Sequence, residues 1–312
     1  MRASECGTIA WIVSIFAGFS STPASCIRVG GYRGRGARKR RGDPALANGP
    51  GGRHGGKRTG GYAAAAASRS TDQRGATLGR DDDLAEAFGD ADAVVHLAGT
   101  LQPRKPNTYR AANLDTVLAA AAALAHSQAQ RVVFLSFLGA RLDASNAYLR
   151  YKAEAEEVLR SCGIPTVIFQ CGHIYGPPSE PGPTASAFVA KSGKVTLLGS
   201  GVQQLAPLYR DDVVEAILHA ALDPDTPTGT FEFTGPDTMT AEEFARLVNS
   251  HPIRIRRTPV ILARVLGRVV PTLSPGLVDV MLADAVRTQE LTATARLFGV
   301  ELHRLAEVWH SQ

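Results

Sequence analysis

The sequence predicts an α/β protein built on a doubly wound parallel sheet, with a small, mainly helical α/β lobe toward its C-terminal end. Three observations carry that expectation. Two short apolar runs, RVVFLS (131–136) and PTVIFQC (165–171), are continuous and rich in Val, Ile and Phe, as strands buried on both faces are. The stretch AYLRYKAEAEEVLRSCG between them has a helical pattern and supplies the crossover a parallel pair needs. From Asp81 onward, strand-like runs keep alternating with helical ones. With 312 residues, 44% of them hydrophobic, the chain can bury the core of one large domain plus a small lobe.

The elements follow in order. Residues 8–19, TIAWIVSIFAGF, form an apolar run too short to cross a bilayer comfortably. Arg2 before it and the small residues around Ala24 give it a weak signal-peptide character. From Gly30 to Gly61 the chain is Gly/Arg-rich and almost free of apolar residues, a composition that cannot bury enough surface to order itself. Residues 1–80 hold 14 Lys/Arg against 3 acids, a balance of +11, and the remainder 20 against 26, a balance of −6. The net charge of +5 thus joins a basic N-terminal segment to a mildly acidic body. With only Tyr32 and Tyr62 interleaved, that segment offers little for bases to stack on, so nucleic acid is not an expected partner. GGRHGGKR (51–58) approaches a phosphate-binding P-loop, but Arg58 stands where Ser or Thr belongs and no strand precedes it.

DDLAEAFGDAD reads as an amphipathic helix leading into the strand AVVHLAG, whose small terminal residues Ala98 and Gly99 let backbone approach a ligand. A plain strand-to-loop turn is the alternative there. NLDTVLAAAAALAHSQ is a strong helix former, with Asn113 near its start in a capping position. Beyond Gly176 come a helix near Ala185–Lys191, the strand KVTLLG, a helix capped by Asp211 or Asp212, and the strand TFEFTG. Thr240 and Glu243 have capping-box spacing, and the tail from Pro259 is helical in pattern, broken at Pro271 and Pro275. Four cysteines (Cys6, Cys26, Cys162, Cys171) without C-x-x-C spacing, and eight scattered histidines, predict neither a metal site nor a disulfide framework.

Tyr148 and Lys152 lie four apart and share one helix face. A tyrosine near its reference pKa of about 10 exchanges protons poorly at neutral pH. A nearby ammonium favours the phenolate, lowers that pKa, and keeps donors free for a sugar hydroxyl. Such a pair serves hydride transfer at a carbonyl or alcohol. The same spacing also occurs on solvated helix faces; the flanking strands and the HIYGP that follows favour the functional reading.

On VVHLAG (94–99), Asn113, YLRYK (148–152), GHIYGP (172–177), PLYRDDV (207–213) and FTGPDTMTAEEFARLV (233–248), the chain resembles the extended or atypical short-chain dehydrogenase/reductases of the NAD-dependent epimerase/dehydratase superfamily. More narrowly it resembles the branch related to the nucleotide-binding accessory subunit of respiratory complex I. The resemblance implies a Rossmann-like NAD(P)-binding domain over 76–225 and a lobe over 226–312, helped by 177–200, that closes over a small-molecule substrate. It implies NAD or NADP as cofactor, with Tyr148 as acid/base and Lys152 tuning it. Leu97, Ala98, Gly99, Asn113, Ser136, Cys171 and Ile174 would join these two in contacting the cofactor. Two activities are compatible with it: an oxidoreductase or epimerase acting on a carbonyl or alcohol, and a catalytically weak NAD(P)H-binding accessory or sensor subunit of a larger protein assembly. The expected location is cytoplasmic, with organellar or membrane-peripheral placement as alternatives.

Three departures from the family bear on chemistry. Its G-x-x-G-x-x-G/A loop has only a formal match at Gly31, Gly34 and Ala37, after CIRV, and the RKRRGDP that follows cannot form an apolar helix face. The Ser/Thr run whose third member polarises a carbonyl reads Ser136-Phe137-Leu138, and strand alternation points Ser136 away from the side Phe137 faces. Gln170-Cys171 stands where Arg-Pro is common. Residues 1–75 are therefore expected to be either a basic extension on a domain lacking its first βαβ unit or a gene-model artefact, the second favoured by the abrupt resumption of the pattern near Asp81. If YAAAAAS is a remnant of the second strand, Arg69 leans toward NADP.

Overall fold

A computed structural model describes residues 25–29, 75–77, 81–103, 107–269, 273–286 and 291–310. The first half runs β1 (Ser25–Val29), β2 (Gly75–Thr77), α1 (Asp81–Phe88), β3 (Ala93–His96), a π-helical turn Ala111–Asp115 flowing into α2 (Thr116–Leu124), β4 (Arg131–Phe137), α3 (Ala147–Arg160) and β5 (Thr166–Cys171). It continues through β6 (Ile174–Tyr175), α4 (Gly182–Phe188), β7 (Lys194–Leu198), β8 (Gln204–Leu205), β9 (Leu208–Tyr209), α5 (Arg210–Leu222) and β10 (Gly229–Phe233). The last part holds β11 (Met239–Thr240), α6 (Ala241–Leu247), β12 (Arg254–Thr258), α7 (Val260–Val269), α8 (Pro275–Leu282), α9 (Leu291–Leu297) and α10 (Leu305–His310). No described helix is long and apolar enough to cross a membrane.

The main sheet has the order β10-β5-β4-β3-β1-β2. Strands β3, β4, β5 and β10 are parallel, with Val94 opposite Val132, Val133 opposite Val167, and Phe169 opposite Phe231. Alternate residues face opposite sides, and both sides are covered. Ala93, Val95, Val133, Leu135, Val167 and Phe169 pack under α5 and Phe298. Val94, Val132, Phe134 and Ile168 pack against α1, α2 and α3. Two buried faces explain why these strands read as unbroken apolar runs.

β10 lies in the segment expected to form the lobe, yet it extends the main sheet beside β5. Phe298 returns to the same sheet, 4.6 Å from the ring of Phe169. The lobe has its own core of Tyr175, Phe188, Val195, Leu197, Phe244 and Leu305, framed by the β7–β12, β8–β11 and β6–β9 pairs. Its capping box forms as expected: Thr240 Oγ1 accepts from Glu243 N at 3.1 Å, and Glu243 Oε2 accepts from Thr240 N at 2.7 Å.

Local expectations differ from the structure in three places. Helix α4 begins at Gly182, earlier than expected, because Pro183 suits a first helical turn and Val189 is already extended. Helix α5 follows Tyr209 and has no side-chain cap; Asp211 and Asp212 sit in its first turn. Asp212 instead accepts from His303, backbone N at 2.9 Å and Nδ1 at 2.6 Å, which ties α5 to the segment before α10. Asn113 is no cap either, being buried inside the π-helical turn.

Of the basic segment 1–75, the described part is β1, which joins the sheet antiparallel to β3, together with Gly75, the first residue of β2. Val29 pairs with Ala93 and Cys26 with His96, so β1 ends at the side of the sheet opposite Gly99. A phosphate-binding loop works from the C-terminal end of a parallel strand, and β1 runs the other way. The formal match at Gly31, Gly34 and Ala37, the stretch 51–58, the apolar run 8–19 and Arg69 lie outside the described residues.

Candidate functional site

The parallel strands end around one cavity of about 350 Å³ between the sheet and the lobe. Leu97, Gly99, Ser136, Tyr148, Lys152, Cys171 and Ile174 all line it, so most of the expected cofactor contacts converge. Ala98 and Asn113 do not line it. Asn113 acts one step away: its Oδ1 accepts from Thr100 N at 3.0 Å, and its Nδ2 donates to Thr100 O at 3.0 Å and Tyr109 O at 2.9 Å. Fully buried, it pins the loop after β3. At Gly99, φ is +151°, and a Cβ there would sit 2.8 Å from Asn113 Oδ1 and 3.0 Å from Lys152 Nζ. The loop passes this close to the lysine only as glycine.

Helix α3 is started by Asn146, whose Oδ1 accepts from Tyr148 N at 2.9 Å. Its Nδ2 donates to Gly276 O at 3.0 Å, so the residue that sets Tyr148 also grips α8. Tyr148 is 7% exposed and lies between Phe137, 5.5 Å away ring to ring, and Tyr109 at 6.4 Å. Burial, then the neighbouring Tyr109, raises its pKa well above the usual range, so the phenol keeps its proton at neutral pH. Lys152 is 4% exposed. Its ammonium donates to Leu135 O at 2.9 Å and rests 4.6 Å above the Phe134 ring. Burial pulls its pKa down to about 8, against the opposing pull of Glu156.

These shifts correct the expected tuning. Lys152 turns toward the β4 backbone, and desolvation governs Tyr148. The tyrosine therefore keeps its proton and is not a ready phenolate.

Ser136 also has a different task. Its hydroxyl donates to Glu156 Oε1 at 2.5 Å, on the side of the sheet that α3 covers, as strand alternation required. Glu156 is 2% exposed and also accepts from Gln170 Nε2 at 2.9 and 3.1 Å and from Arg160 Nη2 at 2.6 Å. A buried carboxylate needs such partners. Gln170 thus serves as a hydrogen-bond partner of this carboxylate. Leu138 supplies only backbone, donating its N–H to Cys171 O at 2.8 Å. Cys171 itself is buried, which pushes its thiol pKa up.

Several site residues escaped the sequence reading. Phe137, His173, Tyr175 and Arg210 line the cavity, although GHIYGP and PLYRDDV had marked their neighbourhoods. Asn146 could have been found from its place just before the helical pattern, where Asn is a preferred cap. Glu156 shares the helix face of Lys152 at the next turn, a spacing visible beforehand; its partners were not.

Residues 57–232, more than half of the chain, match the family described as "NAD dependent epimerase/dehydratase family". Among curated proteins, the chain is 30% identical over 172 residues to NADH dehydrogenase [ubiquinone] 1 alpha subcomplex subunit 9, mitochondrial, of Arabidopsis thaliana, covering 54% of this chain and 43% of that one. It is 24% identical over 208 residues to the NADH-ubiquinone oxidoreductase 40 kDa subunit, mitochondrial, of Neurospora crassa, covering 66% and 54%. The chain thus spans about half the length of the curated relatives it matches. Among solved structures, the UDP-glucuronic acid 4-epimerase of Bacillus cereus, in complex with UDP-glucuronic acid and NAD, superposes with a TM-score of 0.53 at 16% identity, covering 72% of this chain and 75% of that one. That likeness establishes the fold, a Rossmann-like α/β sheet.

Proposed function

The chain belongs to the NAD dependent epimerase/dehydratase family, and from that membership we propose that it is a low-turnover NAD(P)-binding protein whose cofactor site is the cavity at Tyr148 and Lys152. One observation carries this reading: Leu97, Gly99, Tyr148, Lys152, Cys171 and Ile174, far apart in sequence, line a single cavity at the C-terminal ends of parallel strands. The residues fit the nicotinamide-ribose end of a dinucleotide. Gly99 keeps the backbone bare where a Cβ would collide, and Lys152 has donors beyond its bond to Leu135 O. They do not supply the pyrophosphate end, since among the described residues no G-x-x-G-x-x-G turn follows a parallel strand. A bound dinucleotide would bring hydride chemistry. Tyr148 would hold the proton for a substrate oxygen, and Phe137 would keep water from the same wall.

Low turnover follows from the hydroxyl that is missing at Leu138, because losing one such donor lowers rates by about 10²–10³-fold. NADH and NADPH should each be titrated into the full chain. Lys152→Met should weaken binding by about tenfold or more, whereas Tyr148→Phe, which removes a transition-state contact, should shift it by less than about threefold. Leu138→Ser should raise a residual carbonyl reductase activity by about tenfold. Absence of dinucleotide binding by the parent, or a Lys152→Met affinity equal to the parent's, would sink the assignment.

A place in a larger assembly is the second reading, supported by the similarity to respiratory complex I subunits. Helix α7 also leaves Ile261 81% exposed, with Leu262 and Val265 half-exposed beside it, a face suited to burial against protein. The mitochondrial relatives favour an organellar location over a cytoplasmic one. Extracts of source cells should then show the chain comigrating with NADH dehydrogenase activity on native gels. Migration only as a small free species would remove this reading.

A further inference from the structure

Beyond the dinucleotide half, the same cavity is walled by Phe137, Phe188, Leu197, Leu273, Leu277 and Met281. The last three come from α8 and the residues before it, and a network of hydrogen bonds holds them there. Tyr109 Oη donates to Ser274 Oγ at 2.5 Å, Ser274 Oγ donates to Leu101 O at 3.1 Å, and Asn146 Nδ2 reaches Gly276 O. A Cβ on Gly276 would sit 2.6 Å from Tyr109 Oη, so α8 packs directly onto the turn before α2. The apolar wall is preformed.

The charged groups of the cavity are already engaged, Lys152 by a backbone carbonyl and Arg210 by carboxylates. Lys152 donates to Leu135 O. Arg210, a buried guanidinium, donates Nη1 to Glu180 Oε2 at 2.8 Å and Nε to Asp211 Oδ1 at 3.1 Å, so two carboxylates offset its one charge. Gln203 Nε2 donates to Met281 O at 2.8 Å. His173 is held neutral, since burial lowers its pKa to about 4. Thr184 and Thr196 add hydroxyls but no charge. A diphosphate group entering the substrate half would lose its water while Arg210 is already offset by two carboxylates and Lys152 is taken up at the ribose end, which is costly. An alkyl chain would exchange water for Leu, Phe and Met side chains, which is favourable.

We propose that the substrate half of this cavity takes an uncharged, largely apolar carbonyl compound or alcohol, with its oxygen at Tyr148 and its chain along Phe137, Leu197, Leu277 and Met281. The proposal rests on the dinucleotide reading above and adds the substrate class to it. In the reducing direction a bound reduced dinucleotide would supply the hydride to the carbonyl carbon and would itself leave oxidised. The carbonyl oxygen gains the Tyr148 proton, and solvent restores that proton.

The test is a homologous series of 2-alkanones, from 2-butanone to 2-decanone, titrated calorimetrically into the full chain with NADPH present. UDP-glucuronic acid serves as the charged comparison, and dinucleotide affinity is measured separately. Ketone affinity should rise by about fourfold for each added methylene until the cavity is filled, and UDP-glucuronic acid should bind more weakly than the longest ketone. Leu277→Asp should weaken 2-decanone binding by about tenfold or more while leaving NADPH affinity within about twofold. A flat series, no ketone binding, or tighter binding of UDP-glucuronic acid would overturn the proposal. The parent chain alone decides this, whether or not the Leu277 variant folds. A rising series in a chain that binds no NADPH would keep the apolar site and discard the dinucleotide reading.

Discussion

Valine at position 99 is expected to eliminate measurable dinucleotide binding and to destabilise the fold by about 3 kcal/mol, which a dinucleotide titration and a urea midpoint would show. Two effects combine. At φ +151° a branched side chain is strained whatever the space around it, and its Cβ would press on Asn113 Oδ1 at 2.8 Å and Lys152 Nζ at 3.0 Å. Asn113 cannot retreat, because it holds Thr100 and Tyr109 through three hydrogen bonds. Lys152 would have to leave Leu135 O instead, and with it the position from which it can reach a ribose. A Gly99→Val chain that unfolds and binds like its parent would show that this loop is softer than its hydrogen bonds imply.

Lys152→Met is expected to stabilise the protein near neutral pH by about 2 kcal/mol while impairing binding, a trade of stability for function. Burial lowers the pKa of this ammonium to about 8, from the 10.5 of an exposed lysine. Each tenfold weakening of proton binding in the folded state is worth about 1.4 kcal/mol against the charged form. The loss of the Leu135 hydrogen bond and of the attraction to Glu156 offsets part of that gain. The sign with pH follows from proton counts: above about 8 the folded lysine releases its proton, while the unfolded chain keeps it until about 10.5. Through that window the parent's stability rises with pH, and below it the penalty is present in full. Urea unfolding on either side of pH 8 should show the rise in the parent and not in Lys152→Met. A methionine variant less stable than the parent at neutral pH would mean that the carbonyl and the Phe134 ring more than compensate the buried charge.

The parts legible in the sequence are those set by local chemistry. Strands β4 and β5 could be read because a strand covered on both faces carries apolar residues at every position, not every second one. Helix α3 and its Tyr148–Lys152 face follow from i,i+4 geometry, and the Thr240–Glu243 box from a spacing of three. The orientation of Ser136 away from the Phe137 side follows from the two-residue period of a strand. Less legible were features with two local solutions, such as the start of α5, where Asp211 and Asp212 offered caps but Asp212 found His303 instead.

By itself, then, the sequence determined the sheet's parallel core, the family landmarks, the Tyr–Lys face and the absence of a hydroxyl at position 138, because each depends on neighbours within a few turns of chain. The tertiary structure alone decided the rest. It set the antiparallel course of β1, the union of Ser136, Gln170 and Arg160 on Glu156, the latch of α8 on Tyr109 and Asn146, and the pairing of Arg210 with two carboxylates. It also reversed the expected electrostatics of Tyr148. Burial is a property of everything packed around a group, and in this cavity desolvation, with Tyr109 and Cys171 adding to it, raises the Tyr148 pKa.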